Sequence, residues 1–169
     1  MALVTRASTG RETATSPTTL ATASVGTLLA LSMLAWVMAF APNGLDFTDE
    51  GYYLASLRSP GLYPATVTQF GFVYHPLFLL AEGDVALLRQ LNVLLTFGLA
   101  ALLGYRTLSD GFSLRDQRRL AVAIAAQFAV ASLTLCGLWL LTPNYNGLTF
   151  QGALITTLGW TLLKQSPAS

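Results

Sequence analysis

Residues 13–45 contain no charged side chain, and within them residues 20–41 form an almost unbroken apolar run. At 1.5 Å of rise each, those 22 residues make about 33 Å of helix, enough to cross a hydrocarbon core of about 30 Å. Pro42, Asn43 and Gly44 follow at once, three breakers that end a helix. The rest of the chain fits the same reading. Only 10% of its 169 residues are charged, 53% are hydrophobic and the mean hydropathy is +0.56. A soluble domain usually carries charge on about a quarter of its residues. The expected fold class is therefore an all-α, polytopic helical membrane protein.

Three further spans are expected. Residues 85–105 follow Asp84, a good N-cap, and carry Arg89, Gln90 and Asn92 in their first two turns. Residues 120–141 hold no charge and end at Thr142-Pro143-Asn144, while residues 146–163 make a shorter fourth span. Residues 1–19, rich in Ser, Thr and Ala, read as a disordered tail, and 20–169 as the membrane domain. A secretory signal is the competing reading of the first run, because Ala39-Phe40-Ala41 has the small-x-small form of a cleavage site. The run exceeds the usual 7–15 residues of such signals, which favours a span.

Four spans place both termini and the middle connection on one side. Arg6, Arg11, Arg106, Arg115, Arg118, Arg119 and Lys164 lie there, against Arg58 and Arg89 on the other. The positive-inside rule puts that side, and both termini, in the cytoplasm, and leaves the other side lumenal, periplasmic or extracellular. A net charge of +1 gives no field for nucleic acid. A single cysteine, Cys136, and a single histidine, His75, exclude a disulfide and a histidine cluster.

The outer loop, residues 43–84, is too long for a bare connection. It holds five of the eight acids: Asp46, Asp49, Glu50, Glu82 and Asp84. Thr48 reads as an N-cap with Asp49 and Glu50 in the first helical turn. Tyr52, Tyr53, Leu54 and Leu57 then form the apolar stripe of a helix lying on the membrane surface, ended by Ser59-Pro60-Gly61. Pro76 suits the first position of a second short helix over residues 77–81. Asp49 is a candidate general base or metal ligand; the plainer account is that both acids complement the helix dipole. His75 before a proline is more often a structural hydrogen-bonding residue. Arg89 either snorkels to the headgroups or binds a lipid phosphate through paired hydrogen bonds. Tyr145, in the Pro143–Asn146 turn, lies on the same side and could close over the same site.

The order of these features is more specific than any one of them. A first span leads to Asp46-Phe47-Thr48-Asp49-Glu50-Gly51-Tyr52-Tyr53, then to Tyr74-His75-Pro76-Leu77, then to a helix opening with Leu88-Arg89-Gln90-Leu91-Asn92. This resembles the N-terminal portion of the GT-C membrane glycosyltransferases, the superfamily of the dolichyl-phosphate-mannose protein mannosyltransferases and the bacterial RgtA/B/C/D-like proteins. The resemblance implies transfer of a sugar from a polyprenyl-phosphate donor to an acceptor outside the cytoplasm. It assigns Asp49 as catalytic acid–base residue, with Glu50 the second choice, and leaves a divalent metal as a candidate cofactor. His75, Arg89 and Tyr145 become candidate substrate contacts. Members of the superfamily have many more spans, so the chain is expected to correspond to an N-terminal piece, with a missing C-terminal part or a partner membrane protein completing the donor pocket. The alternative is a small non-catalytic membrane protein that binds lipid or a partner, with Gly98, Ala100, Ala101 and Gly104 offering a close-packing face. A transporter ranks last, because no span carries a mid-depth acid.

Overall fold

In the computed structural model, residues 16–44, 49–63, 68–112, 114, 117–135 and 141–163 are described. Asp46, Phe47, Thr48, Arg115, Cys136 and Lys164 lie outside them, as do Arg6 and Arg11 in the leading segment. All secondary structure among the described residues is helical: α1 (Pro17–Phe40), α2 (Glu50–Arg58), α3 (Phe70–Leu80), α4 (Val85–Arg106), α5 (Arg118–Leu135) and α6 (Tyr145–Leu163). A 3₁₀ turn at Pro60–Leu62 follows α2, and a π turn at Thr107–Gly111 extends α4. Two of these helices are long and apolar enough to cross a membrane, α1 and the continuous Val85–Gly111 segment.

Helix ends follow local chemistry. Ser16 caps α1 by accepting from the Thr19 amide at 3.2 Å, and Pro17 fills the position where an amide is not needed. Helix therefore begins three residues inside the segment expected to be a disordered tail. Asp84 caps α4 through one carboxylate oxygen, which accepts from the amides of Ala86 (2.8 Å) and Leu87 (3.1 Å). The expected start at Pro76 is corrected. Helix α3 begins at Phe70, and Pro76 sits inside it. Its fixed φ is compatible with helix, and the cost is one missing amide bond to the exposed turn around Phe72.

Along the long helices, small residues are buried and many large apolar ones are exposed. Ala100, Ala121 and Ala129 are fully buried, whereas Leu28 and Leu29 of α1 are 64% and 66% exposed. Trp36, Ile155, Trp160 and Leu163 also face outward. Small residues line these helix contacts, and many bulky apolar ones are left exposed on the outside. Helix α5 lies between α1 and α4, and α4 in turn packs on α6. The α4–α5 seam is reciprocal: Ala100 and Gly104, one turn apart, meet a face with Ala125 and Ala129. A β-carbon on Gly104 would stand 3.2 Å from Phe128 and 3.4 Å from the Ala125 backbone. The small-residue face expected to receive a partner thus receives α5 of the same chain at Ala100 and Gly104, while Gly98 meets nothing within 4 Å.

Helices α2 and α3 pack on each other and close the end of the bundle where α1 finishes and α4 and α6 begin. Gly71 makes this contact close, since a β-carbon there would lie 2.6 Å from the Ser56 carbonyl oxygen. Tyr53, Leu57, Phe70, Tyr74 and Leu88 form the apolar core of this cap. Ala41, the last residue of the small-x-small triplet, is fully buried beneath it.

Candidate functional site

The cap is joined to the bundle by one buried ion pair. Helix α2 starts at Glu50, so its first side chain points back toward the bundle rather than along the helix axis. There the carboxylate meets Arg89, in the second turn of α4, with Nη2 donating at 2.6 Å and Nε at 3.0 Å. Thr142, just before α6, receives a hydrogen bond from Arg89 Nε at 3.1 Å and donates its own to Glu50. Arg89 Nη1 donates to the carbonyls of Ala41 (3.1 Å) and Asn43 (3.4 Å) at the end of α1. Glu50 is 0% and Arg89 5% exposed. The guanidinium neither snorkels nor presents an open fork; its donors are engaged by the protein. Such a pair is held by geometry, because two charges leave water together only when their hydrogen bonds are satisfied.

A second polar chain runs below it. Tyr74 of α3 donates to Gln151 Oε1 at 2.8 Å. Gln151 Nε2 donates to Asn92 Oδ1 (2.9 Å) and Thr96 Oγ1 (2.8 Å) on α4. Asn92 Nδ2 donates to the Leu141 carbonyl at 2.9 Å, and Gln90 Nε2 to the Met38 carbonyl at 3.1 Å. Asn144 donates to the Thr142 carbonyl and accepts from the Gly147 amide, which caps α6. The turn before α6 is thereby fixed to α4 and to the cap.

Asp49, one residue before Glu50, has a different environment. It occupies the N-cap position of α2, is exposed, and makes no side-chain capping bond. Thus neither acid serves the helix dipole by capping. Asp49 stands beside the Tyr53 hydroxyl, which also meets that of Tyr145. Burial pushes the Tyr53 phenol well above its ordinary value near 10; Tyr145 and then the negative charge of Asp49 add to the shift. Tyr53 is therefore a neutral hydroxyl at any physiological pH.

Around these groups the rings form one cluster. Tyr53 meets Tyr145 at 5.9 Å and Phe70 edge-on at 5.5 Å; Tyr52 meets Tyr53 at 5.8 Å and Tyr63 edge-on at 5.5 Å. Tyr52 and Tyr145 are about two-fifths exposed, so the ring cluster reaches the surface. A carboxylate, phenolic hydroxyls and aromatic faces together suit a polyhydroxylated ligand, whose hydroxyls need acceptors and whose C–H faces pack on rings.

Of the five residues singled out in the sequence, Asp49 and Tyr145 come together through Tyr53, and Glu50 and Arg89 pair with each other. His75 stands apart, its Nδ1 donating to the Leu57 carbonyl at 2.7 Å and tying α3 to α2. Among the described residues no three His, Cys, Asp or Glu side chains gather as a metal site. Tyr53, Thr142 and Gln151 were not singled out. For Gln151 and Asn92 a signal existed, since amides in otherwise apolar helices seek each other. No family model matches the chain, and no curated protein or solved structure matches it.

Proposed function

We propose that the chain is a membrane-embedded glycosyltransferase unit of the GT-C kind, with Asp49 as its base. In this reading α1, α4, α5 and α6 all cross the bilayer, and the cap of α2 and α3 lies at the non-cytoplasmic surface. Arg106, Arg118 and Arg119 fall at the opposite end from the cap, which carries Arg58, in keeping with the positive-inside rule. The reading rests on one observation, the exposed Asp49 carboxylate set among Tyr53, Tyr145 and their neighbouring rings.

The chemistry follows from those groups. An acceptor hydroxyl gives its proton to Asp49 as its oxygen bonds to the anomeric carbon of the sugar. The bond from that carbon to the polyprenyl phosphate breaks, and the phosphate leaves with the electron pair. Tyr145 hydrogen-bonds a sugar hydroxyl, and the buried, neutral Tyr53 beside it holds Tyr145 and Asp49 in place. Glu50 does not act on substrate in this scheme. Its bond to Arg89 positions the first turn of α2, and with it Asp49.

The test uses the full chain in membrane vesicles supplied with a radiolabelled polyprenyl-phosphate hexose. Asp49→Asn should reduce transfer to acceptor by at least a hundredfold, the size of a general-base contribution, while membrane abundance is unchanged. Transfer at the unaltered rate in Asp49→Asn removes that residue from the mechanism. Absence of transfer by the unaltered chain with every donor tried favours the non-catalytic alternative.

A further inference from the structure

At the end of the bundle away from the cap, the N-terminal turns of α1 and α5 leave an open groove of about 530 Å³ between them. Its walls are apolar, formed by Leu20 and Ala23 on one side and Val122 on the other. Ser24 and Thr27 also line it, but their hydroxyls donate to the Leu20 and Ala23 carbonyls, each at 2.9 Å, and add no free donor. Arg118 and Arg119 stand at the mouth, both exposed, and neither forms an ion pair among the described residues. The groove therefore has a cationic entrance and an apolar body, laid along the helix axes.

We infer that this groove holds an anionic phospholipid of the cytoplasmic leaflet, its phosphate on Arg118 and Arg119 and an acyl chain against Leu20, Ala23 and Val122. Three features select that occupant. The paired guanidinium groups match a phosphate ester and its anionic headgroup, whereas a zwitterionic headgroup brings its own cation to the mouth. The groove runs along about two turns of α1, about 10 Å from residue 20 to residue 27, with the Ser24 and Thr27 hydroxyls turned to their own helix carbonyls, which suits a chain and not a free anion. The groove also opens at the helix ends that carry the positive residues, the depth at which headgroups lie. The inference rests on the membrane-spanning part of the proposed function and not on Asp49, so lipid retention and sugar transfer are read separately.

The experiment is native mass spectrometry of the full chain released from nanodiscs containing equal phosphatidylglycerol and phosphatidylcholine. Phosphatidylglycerol should be retained about tenfold over phosphatidylcholine, and Arg118→Gln/Arg119→Gln should bring the ratio close to one. Ser24→Phe, which fills the groove and keeps both charges, should lower retention of both lipids. This variant keeps the question open to measurement if the arginine variant fails to insert. Inorganic phosphate at millimolar concentration should not displace the lipid. Equal retention of the two lipids by the unaltered chain, an unchanged ratio in the arginine variant, unchanged retention in Ser24→Phe, or displacement by phosphate alone would each overturn the assignment.

Discussion

Glu50→Ala isolates the energetics of the cap. The substitution removes a carboxylate that accepts from Arg89 Nη2 and Nε and from Thr142. Each charge-assisted bond is worth roughly 1.5–3 kcal/mol, so the two from Arg89 set an upper scale of about 3–6 kcal/mol. Arg89 keeps its bonds to the Ala41 and Asn43 carbonyls, which partly offset the loss. It nonetheless becomes a buried cation without a counter-charge, a situation that costs about 3–5 kcal/mol. We expect a destabilisation of about 3–4 kcal/mol by this reasoning. The companion Glu50→Leu/Arg89→Met removes both charges and fills similar volume. It should recover most of that loss, because the desolvation cost disappears with the attraction. Reversible unfolding of the purified chain by dodecyl sulfate in mixed micelles, followed by tryptophan fluorescence, measures all three forms. If Glu50→Ala unfolds at the same detergent fraction as the unaltered chain, or if the double variant is no more stable than the single one, the pair does not hold the cap as described.

Four other outcomes follow from the same contacts. Gly71→Ala places a β-carbon against the Ser56 carbonyl and should cost about 1–3 kcal/mol by forcing α2 and α3 apart, seen as faster proteolysis in the cap. Gly104→Leu should separate α4 from α5 at a similar cost of roughly 1–3 kcal/mol, read in the same detergent titration. His75→Ala removes the bond to the Leu57 carbonyl and should cost about 0.5–1.5 kcal/mol, while His75→Asn, which retains a donor, should cost less. The raised Tyr53 phenol contributes stability that is fully present below its ordinary value near 10 and lost as pH rises through its higher folded value. Ultraviolet titration should show a tyrosine component that ionises above the ordinary range, and Tyr53→Phe should reduce that component by one phenol.

Local signals made the helices legible. Asp84 announced α4, Ser59-Pro60-Gly61 ended α2, and long apolar runs marked α1 and α4. Pro76 misled because a proline favours a first turn but is tolerated later, where the missing bond falls on an exposed turn. The site was half legible. Asp49 and Glu50 stood out as adjacent acids, but adjacency gave no sign that one would face outward and the other the bundle. That division depends on Arg89, 39 residues on, and Thr142, 92 residues on. Contacts at such separations leave no periodic trace in the chain. Tyr53 was read as part of an apolar stripe, and it is buried as that reading requires, but its hydroxyl end belongs to the site.

If α4 crosses a bilayer as proposed, the ion pair also bears on how the chain would enter it. Arg89 is the one charge within the first turns of α4, and a lone arginine in a span raises the cost of insertion. Its counter-charge, Glu50, is synthesised 39 residues earlier, so both would be present before α4 entered lipid. Thr142 emerges later and completes the set only as α6 begins. Biosynthesis would thus neutralise the charge first and fix the geometry second, with the cap and α4 assembling before α6 arrives.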